Sequence, residues 1–249
     1  MHYCRITSVS ALLLALAAGC VPRGKPDPKD QPITPEQITD FDQLFSANCA
    51  GCHGASGDLG PAPPLNDHLF VAIIPDEELL RVIRDGRLGT PMPAFSIEKG
   101  GSLTEAQVKA LAAGIKSRWK SATPLSDTPP AYALSAAAAG QLTPDARERG
   151  AKVYASACAS CHGPNGGGGE HTTQIGGAIN VPAFLSLISD QALRRTIITG
   201  RLDLGMPNYA EQKGRSADFH SLTSAEIDDL VALLAHWRTA GAVVNTGHQ

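Results

Sequence analysis

Four of the six cysteines fall into two short units in which a histidine follows directly: Cys49-Ala50-Gly51-Cys52-His53 and Cys158-Ala159-Ser160-Cys161-His162. Two thiols at this spacing reach the two vinyl groups of one haem and form thioethers with it. The adjacent histidine then lies under the iron. The pattern predicts two covalent haems c, on Cys49 and Cys52 and on Cys158 and Cys161, with His53 and His162 as proximal iron ligands. Zinc is a competing reading, but it wants the two thiol pairs converged on one ion or extra ligands at fixed spacing. A redox-active dithiol wants a βαβ setting, and the chain shows no such pattern.

A second axial ligand follows from counting. The chain has three methionines, and Met1 is the initiator. Met92 and Met206 fall one per unit, 39 residues after His53 and 44 after His162, and each precedes a proline. One methionine alone reads as core packing. Two in matching loops read as axial ligands, and Pro93 and Pro207 stiffen those loops. His68 and His171 do not match between the units and read as exposed loop residues; His220 and His236 read as surface residues.

These residues sit in a tandem repeat. Gly86-Arg87-Leu88 answers Gly200-Arg201-Leu202, Met92-Pro93 answers Met206-Pro207, and Ser102-Leu103-Thr104 answers Ser221-Leu222-Thr223. The offset is 109 at the first cysteine, 114 at the methionine and 119 at the threonine. The second copy therefore carries two short insertions, near Gly166 to Gly169 and within Asn208 to Phe219. Both are glycine-rich or polar, as length-tolerant loops are. A stretch rich in Ala, Pro, Ser and Thr separates the copies and reads as a linker, with Ala136 to Ala139 as a candidate helical turn. The expected layout is domain one at 36–121, linker at 122–142, domain two at 143–240 and a tail at 241–249.

The elements that position the motifs read as helical. Each copy predicts a helix before the C-x-x-C-H: Thr34, Pro35 and Gln37 open the first, with Phe41, Leu44 and Phe45 on one face, and Thr143-Pro144 opens the second. A second helix is expected over 76–85 and 190–199, the latter capped by Ser189, each stopped by glycine. A third begins at the capping boxes Thr104/Gln107 and Thr223/Glu226 and carries apolar residues at helical spacing. No alternating strand pattern stands out. The fold class is all-α, with long loops between the first and second helices.

Residues 1–19 read as an export signal: Arg5, then an apolar run from Val9 to Ala18 that is too short for a bilayer span. Ala17-Ala18-Gly19-Cys20 resembles a bacterial lipobox, although Leu is preferred where Ala17 stands. Acylation is expected at Cys20, with 20–35 as an extended Pro-rich tether. Cys4 lies in the removed segment. The net charge of −3 and the lack of basic runs exclude a nucleic-acid partner.

Taken together, the motifs resemble the class I cytochrome c family in tandem diheme form, over 36–121 and 143–240. The resemblance implies that first and last helices pack through Phe41 and Phe45, Gly150 and Tyr154, Trp119 and Trp237. It implies a proline carbonyl that takes the proximal ring N–H, from Gly60-Pro61 or Pro64-Leu65. At the matching place copy two offers Ile175-Gly176-Gly177, with no proline from there until Pro182, which leaves the acceptor for His162 open. Arg81, Arg84 and Arg87, and Arg194, Arg195 and Arg201, are candidate propionate partners, Arg87 and Arg201 first because they match between copies. The expected function is electron transfer with redox partner proteins, not catalysis: a carrier tethered to the membrane by the N-terminal lipid on the periplasmic face, or a haem subunit of a larger complex. A diheme peroxidase or thiosulfate dehydrogenase is the alternative.

Overall fold

The computed structural model describes residues 27, 31–58, 60–121, 125, 128–135, 143–168 and 176–244. Among them there are helices and no strand, only isolated bridges. The signal segment, Cys20, Leu59, His171 and Ala136 to Ala139 lie outside the described residues. The described residues up to Ile38 form one unit and those from Thr39 onward another, so the attachment motifs and long helices of both repeats lie in a single compact unit. No helix among the described residues is long and apolar enough to cross a membrane.

In the first unit, Thr34 and Gln37 form the expected capping box, with Thr34 N–H donated to Gln37 Oε1 at 3.1 Å. The box closes a single 3₁₀ turn, Pro35–Gln37, and does not open the long helix. That helix, α1, is Phe41–Asn48, and its N-cap is Asp40, which accepts Gln43 N–H at 2.9 Å. Asp40 stands next to the residues that bury an apolar face, Leu44 and Phe45, and most helix stability comes from such burial.

The first repeat continues with α2 (Ala50–His53), α3 (His68–Ile73), α4 (Asp76–Asp85) and α5 (Glu105–Arg118). The second has α6 (Pro144–Ala157), α7 (Ala159–His162), α8 (Pro182–Leu187), α9 (Asp190–Thr199) and α10 (Ser224–Val244). The expected starts at Thr143, Ser189, Thr104 and Thr223 are all in place. The connection between first and second helices is not a plain loop, because α3 and α8 interrupt it. In each repeat the first helix packs on the last, α1 on α5 and α6 on α10.

The two helix crossings use opposite side-chain sizes. In repeat one the small residue is on the last helix: a Cβ on Gly114 would stand 2.0 Å from Phe41 Cδ2. In repeat two it is on the first: a Cβ on Gly150 would stand 2.2 Å from the Asp229 carbonyl oxygen and 3.2 Å from Leu233 Cβ. The repeat offsets make Phe41 equivalent to Gly150, and Gly114 equivalent to Leu233. Large and small have exchanged helices, and each crossing keeps one of each.

The repeats also meet. Phe70 and Val71 of α3 are buried, while Leu69 and Ile73 lie against the core of repeat two. The described part of the linker is packed as well. Tyr132 is buried against Phe70, its carbonyl accepts Gln191 Nε2–H at 2.6 Å, and the Ala131 carbonyl accepts Arg194 Nε–H at 2.9 Å. A composition rich in Ala, Pro and Ser concealed this anchorage.

Candidate functional site

The two C-x-x-C-H units wind into the short helices α2 and α7, which place both thiols of a unit and its histidine within one turn. None of the four cysteines is in a disulfide. Burial pushes the Cys49 and Cys158 thiols up to about 11. That is the reverse of the low-pKa thiolate a redox dithiol needs. Among the described residues no group of His, Cys, Asp and Glu converges to hold a metal ion.

Each histidine ring is held by a backbone carbonyl. His53 Nδ1 donates to Pro63 O at 2.9 Å, and His162 Nδ1 donates to Gly177 O at 2.8 Å. A carbonyl only accepts, so Nδ1 carries a proton, and in the neutral tautomer this selects, the lone pair for a metal lies on Nε2. Burial lowers the His53 pKa against the opposing pull of the Pro63 bond, and the Arg195 charge adds to the lowering, which keeps the ring neutral. The acceptor in repeat one is Pro63, between the two expected candidates Pro61 and Pro64. The acceptor in repeat two needs no proline at all.

The acceptor loops share a frame. Leu65 N–H and Asn66 N–H both donate to Gly57 O, and Ile179 N–H and Asn180 N–H both donate to Gly166 O. The first insertion lies between these anchors. Gly57 and Gly166 take positive φ, 74° in each, and a Cβ there would strike Trp119 or Trp237 at 2.6 or 2.7 Å. The last-helix tryptophan thus packs on the ligand loop in both repeats.

The methionine loops are equally alike. Arg87 N–H donates to Met92 O at 3.1 Å, and Arg201 N–H donates to Met206 O at 3.0 Å. The closed turn brings the Met-Pro segment across a glycine. A Cβ on Gly86 would meet Pro93 C at 2.6 Å, and one on Gly200 would meet Met206 O at 2.6 Å. This crossing explains why the Gly-Arg-Leu and Met-Pro signatures recur together. Leu88 and Leu202 in these turns are exposed.

The arginines divide differently from the sequence expectation. Arg201 forms a two-bond ion pair with Asp203 at 2.9 and 2.7 Å, so its fork is already occupied. Arg81 pairs with Glu78, Arg84 with Glu105, and the fully buried Arg194 with Asp228. Arg87 makes no ion pair among the described residues. His68 is exposed as expected, but it begins α3 and donates from Nδ1 to the Trp119 carbonyl at 2.9 Å. His236 is half-buried against Arg147, not a free surface residue.

The second insertion forms a strap over the attachment helix of repeat two. Ser160 Oγ donates to Gly214 O at 2.5 Å, and Ser216 Oγ donates to Ser156 O at 3.1 Å. Arg215 lies over the Phe219 ring and donates to the carbonyls of Ala157, Asn208 and Glu211. Repeat one has Gly51 at the place of Ser160 and nothing to anchor such a strap.

The donor set fits a c-type haem: two unbridged thiols beside a histidine whose Nδ1 is held by a carbonyl, and a soft thioether in a pinned turn. Residues 36–113 match the family model of cytochrome c oxidase, cbb3-type, subunit III, and residues 147–237 match the cytochrome c model. The chain carries two cytochrome c domains in tandem. Haem-based electron transfer is the function of such a tandem cytochrome c. No curated protein matches this one. Among solved structures it is similar to a chain of the reducing HAO-like protein complex of Kuenenia stuttgartiensis. That chain is 19% identical, with coverage of 83% of this chain and 97% of that one and a TM-score of 0.46.

Proposed function

We propose that this tandem cytochrome holds one haem c in each repeat. Cys49 and Cys52 bind the first and Cys158 and Cys161 the second, with His53 and Met92, then His162 and Met206, as axial ligands. It passes electrons and does not catalyse a reaction of its own. The observation that carries this is the doubled ring bond, His53 to Pro63 and His162 to Gly177, which commits Nδ1 to a carbonyl and leaves Nε2 as the ring nitrogen available to iron in both repeats.

When bound, a haem supplies a one-electron iron couple whose potential thioether ligation raises. The chain's own residues do the rest. The carbonyls of Pro63 and Gly177 fix the tautomer and orientation of the rings. The turns closed on Met92 and Met206 hold a thioether in each repeat that would serve as the iron's second protein ligand and so disfavour binding of peroxide or thiosulfate there. From the sequence we also place the protein outside the cytoplasm, lipid-anchored at Cys20, as a tethered carrier or a fixed haem subunit of a larger assembly.

A redox titration followed optically tests the ligation. Two haems per chain are expected, and the sulfur-to-iron band falls by half in Met92→Ala and in Met206→Ala. One haem per chain, an unchanged band in either variant, or peroxidase turnover by the wild-type protein overturns the reading. Acyl labelling lost in Cys20→Ser tests the anchor.

A further inference from the structure

We propose that Arg195, on α9 of the second repeat, is a positioning residue for the His53 site of the first. This rests on the reading of His53 as an iron ligand. Arg195 is 6% exposed, with its guanidinium 3.6 Å from the centre of the Phe70 ring, on α3 of repeat one. Its Nη2 donates to the carbonyl of Pro64. The neighbouring carbonyl, that of Pro63, is the one that holds the His53 ring.

The loop needs such an outside donor. Ala62 N–H donates to Cys52 O, and Leu65 and Asn66 N–H donate to Gly57 O. Between these anchors stand Pro63 and Pro64, which have no N–H to give. A side chain from the other repeat therefore fixes the peptide beside the acceptor. The residues converge on a cavity of about 370 Å³ lined from both repeats, including Pro63, Pro64, Arg195 and Arg201.

The two copies explain how Arg195 became available. Its equivalent in repeat one is Arg81, which engages Glu78, one turn earlier, through two bonds of 2.7 Å each. The position equivalent to Glu78 in repeat two is Ala192. Without that carboxylate the arginine turns into the contact between repeats. Among the described residues it makes no ion pair, although the charge of Asp67 acts on it from a distance, so its guanidinium faces the ligand loop without a bonded carboxylate. Burial lowers its pKa only to about 10, which leaves it charged at neutral pH.

The test uses the full chain with both haems loaded. Axial-methionine methyl signals of the reduced protein, assigned with Met92→Ala and Met206→Ala, report each site during a redox titration. Removing a positive charge beside one iron favours its oxidised form. Arg195→Gln is expected to shift the reduced-to-oxidised ratio of the His53 site about tenfold toward oxidised at fixed potential, 59 mV for one electron, and the His162 site less than about twofold. Arg195→Lys, which keeps the charge and a donor, is expected to restore most of that shift. Arg81→Gln is expected to leave both sites unmoved. Equal movement of both sites, movement of neither, or an equal effect of Arg81→Gln overturns the proposal. If only the lysine variant yields holoprotein, a smaller shift confined to the His53 site supports the proposal and any other pattern overturns it. Failure of the ligand reading shows differently: the wild-type protein then lacks one of the two methyl signals before any arginine is changed.

Discussion

The exchanged helix crossings make a prediction that can be worked through in numbers. Gly114→Ala places a methyl where Phe41 ring carbons stand at 2.0, 2.5 and 2.7 Å. The ring cannot swing away freely, because it packs against Phe45 and Trp119 at centroid distances of 5.4 and 5.9 Å. Replacing a mid-helix glycine by alanine gains about 1 kcal/mol of intrinsic helix preference. Overpacking costs about 1–3 kcal/mol. The clash is close enough to take the upper part of that range, so Gly114→Ala destabilises by about 1–2 kcal/mol. Phe41→Ala alone costs about 2–3 kcal/mol, below the value for a fully buried ring because Phe41 is only half-buried. With the ring gone, Gly114→Ala shows only its helix gain and becomes stabilising by about 1 kcal/mol. The cycle thus yields a coupling of about 2–3 kcal/mol, within the range for residues in contact. Urea unfolding of the holoprotein, followed by far-ultraviolet circular dichroism at constant m-value, measures it. Stabilisation by Gly114→Ala in the wild-type background, or a coupling under about 0.5 kcal/mol, would refute the steric account.

Three further outcomes follow from the second repeat. Tyr154 is buried and donates to the Gly163 carbonyl at 2.8 Å, directly after His162; its counterpart is Phe45, so Tyr154→Phe should keep both haems and lower the unfolding free energy by about 1 kcal/mol in urea. Arg194 is fully buried and pairs with Asp228, so Asp228→Ala leaves a buried charge with neutral acceptors alone and should cost about 3–5 kcal/mol by the same assay; a loss below about 1 kcal/mol would mean that its bonds to the Ala131 and Ser224 carbonyls and to Ser224 Oγ suffice. Arg215→Gln removes the donors that tie the strap. Limited proteolysis should then cut within 208–219 several-fold faster with cutting in repeat one unchanged, and an unaltered rate counts against the strap being held by that side chain.

The attachment units and the long helices were legible in the sequence because both are local. A C-x-x-C-H unit, a glycine stop and a Thr-x-x-Gln box each act within one or two turns. The box at Thr34 shows the limit of that locality, since it is formed yet closes only a 3₁₀ turn; Asp40 starts the helix because burial of Leu44 and Phe45 decides where a helix is stable. The short helices α3 and α8 hold six residues each, too few for a period to show. The role of Arg201 was half legible: Asp203 lies two residues on, whereas Gly89 occupies that place after Arg87. Arg195 stood among the candidate propionate partners, but its contact with the other copy was not legible, because its partners Phe70 and Pro64 are far away in the chain. Arg195 and Arg201 each have an equivalent arginine in the other copy, Arg81 and Arg87, so equivalence could not separate them; it was the loss of equivalence at a neighbour, Glu78 against Ala192, that released Arg195.

The carbonyls that hold the two histidine rings belong to a proline in one repeat and a glycine in the other, 10 and 15 residues after their rings. What receives the proton is main chain, and every amino acid brings the same oxygen. Single-residue scanning is therefore nearly blind here: Pro63→Ala leaves the acceptor in place, and its effect is one of loop stiffness alone. Drift at such positions is constrained by the path of the chain and not by the identity of the residue. A second copy could lengthen the loop, drop the proline and keep the bond. Alignments of such domains by residue type will miss the acceptor, and only alignment by backbone trajectory will find it.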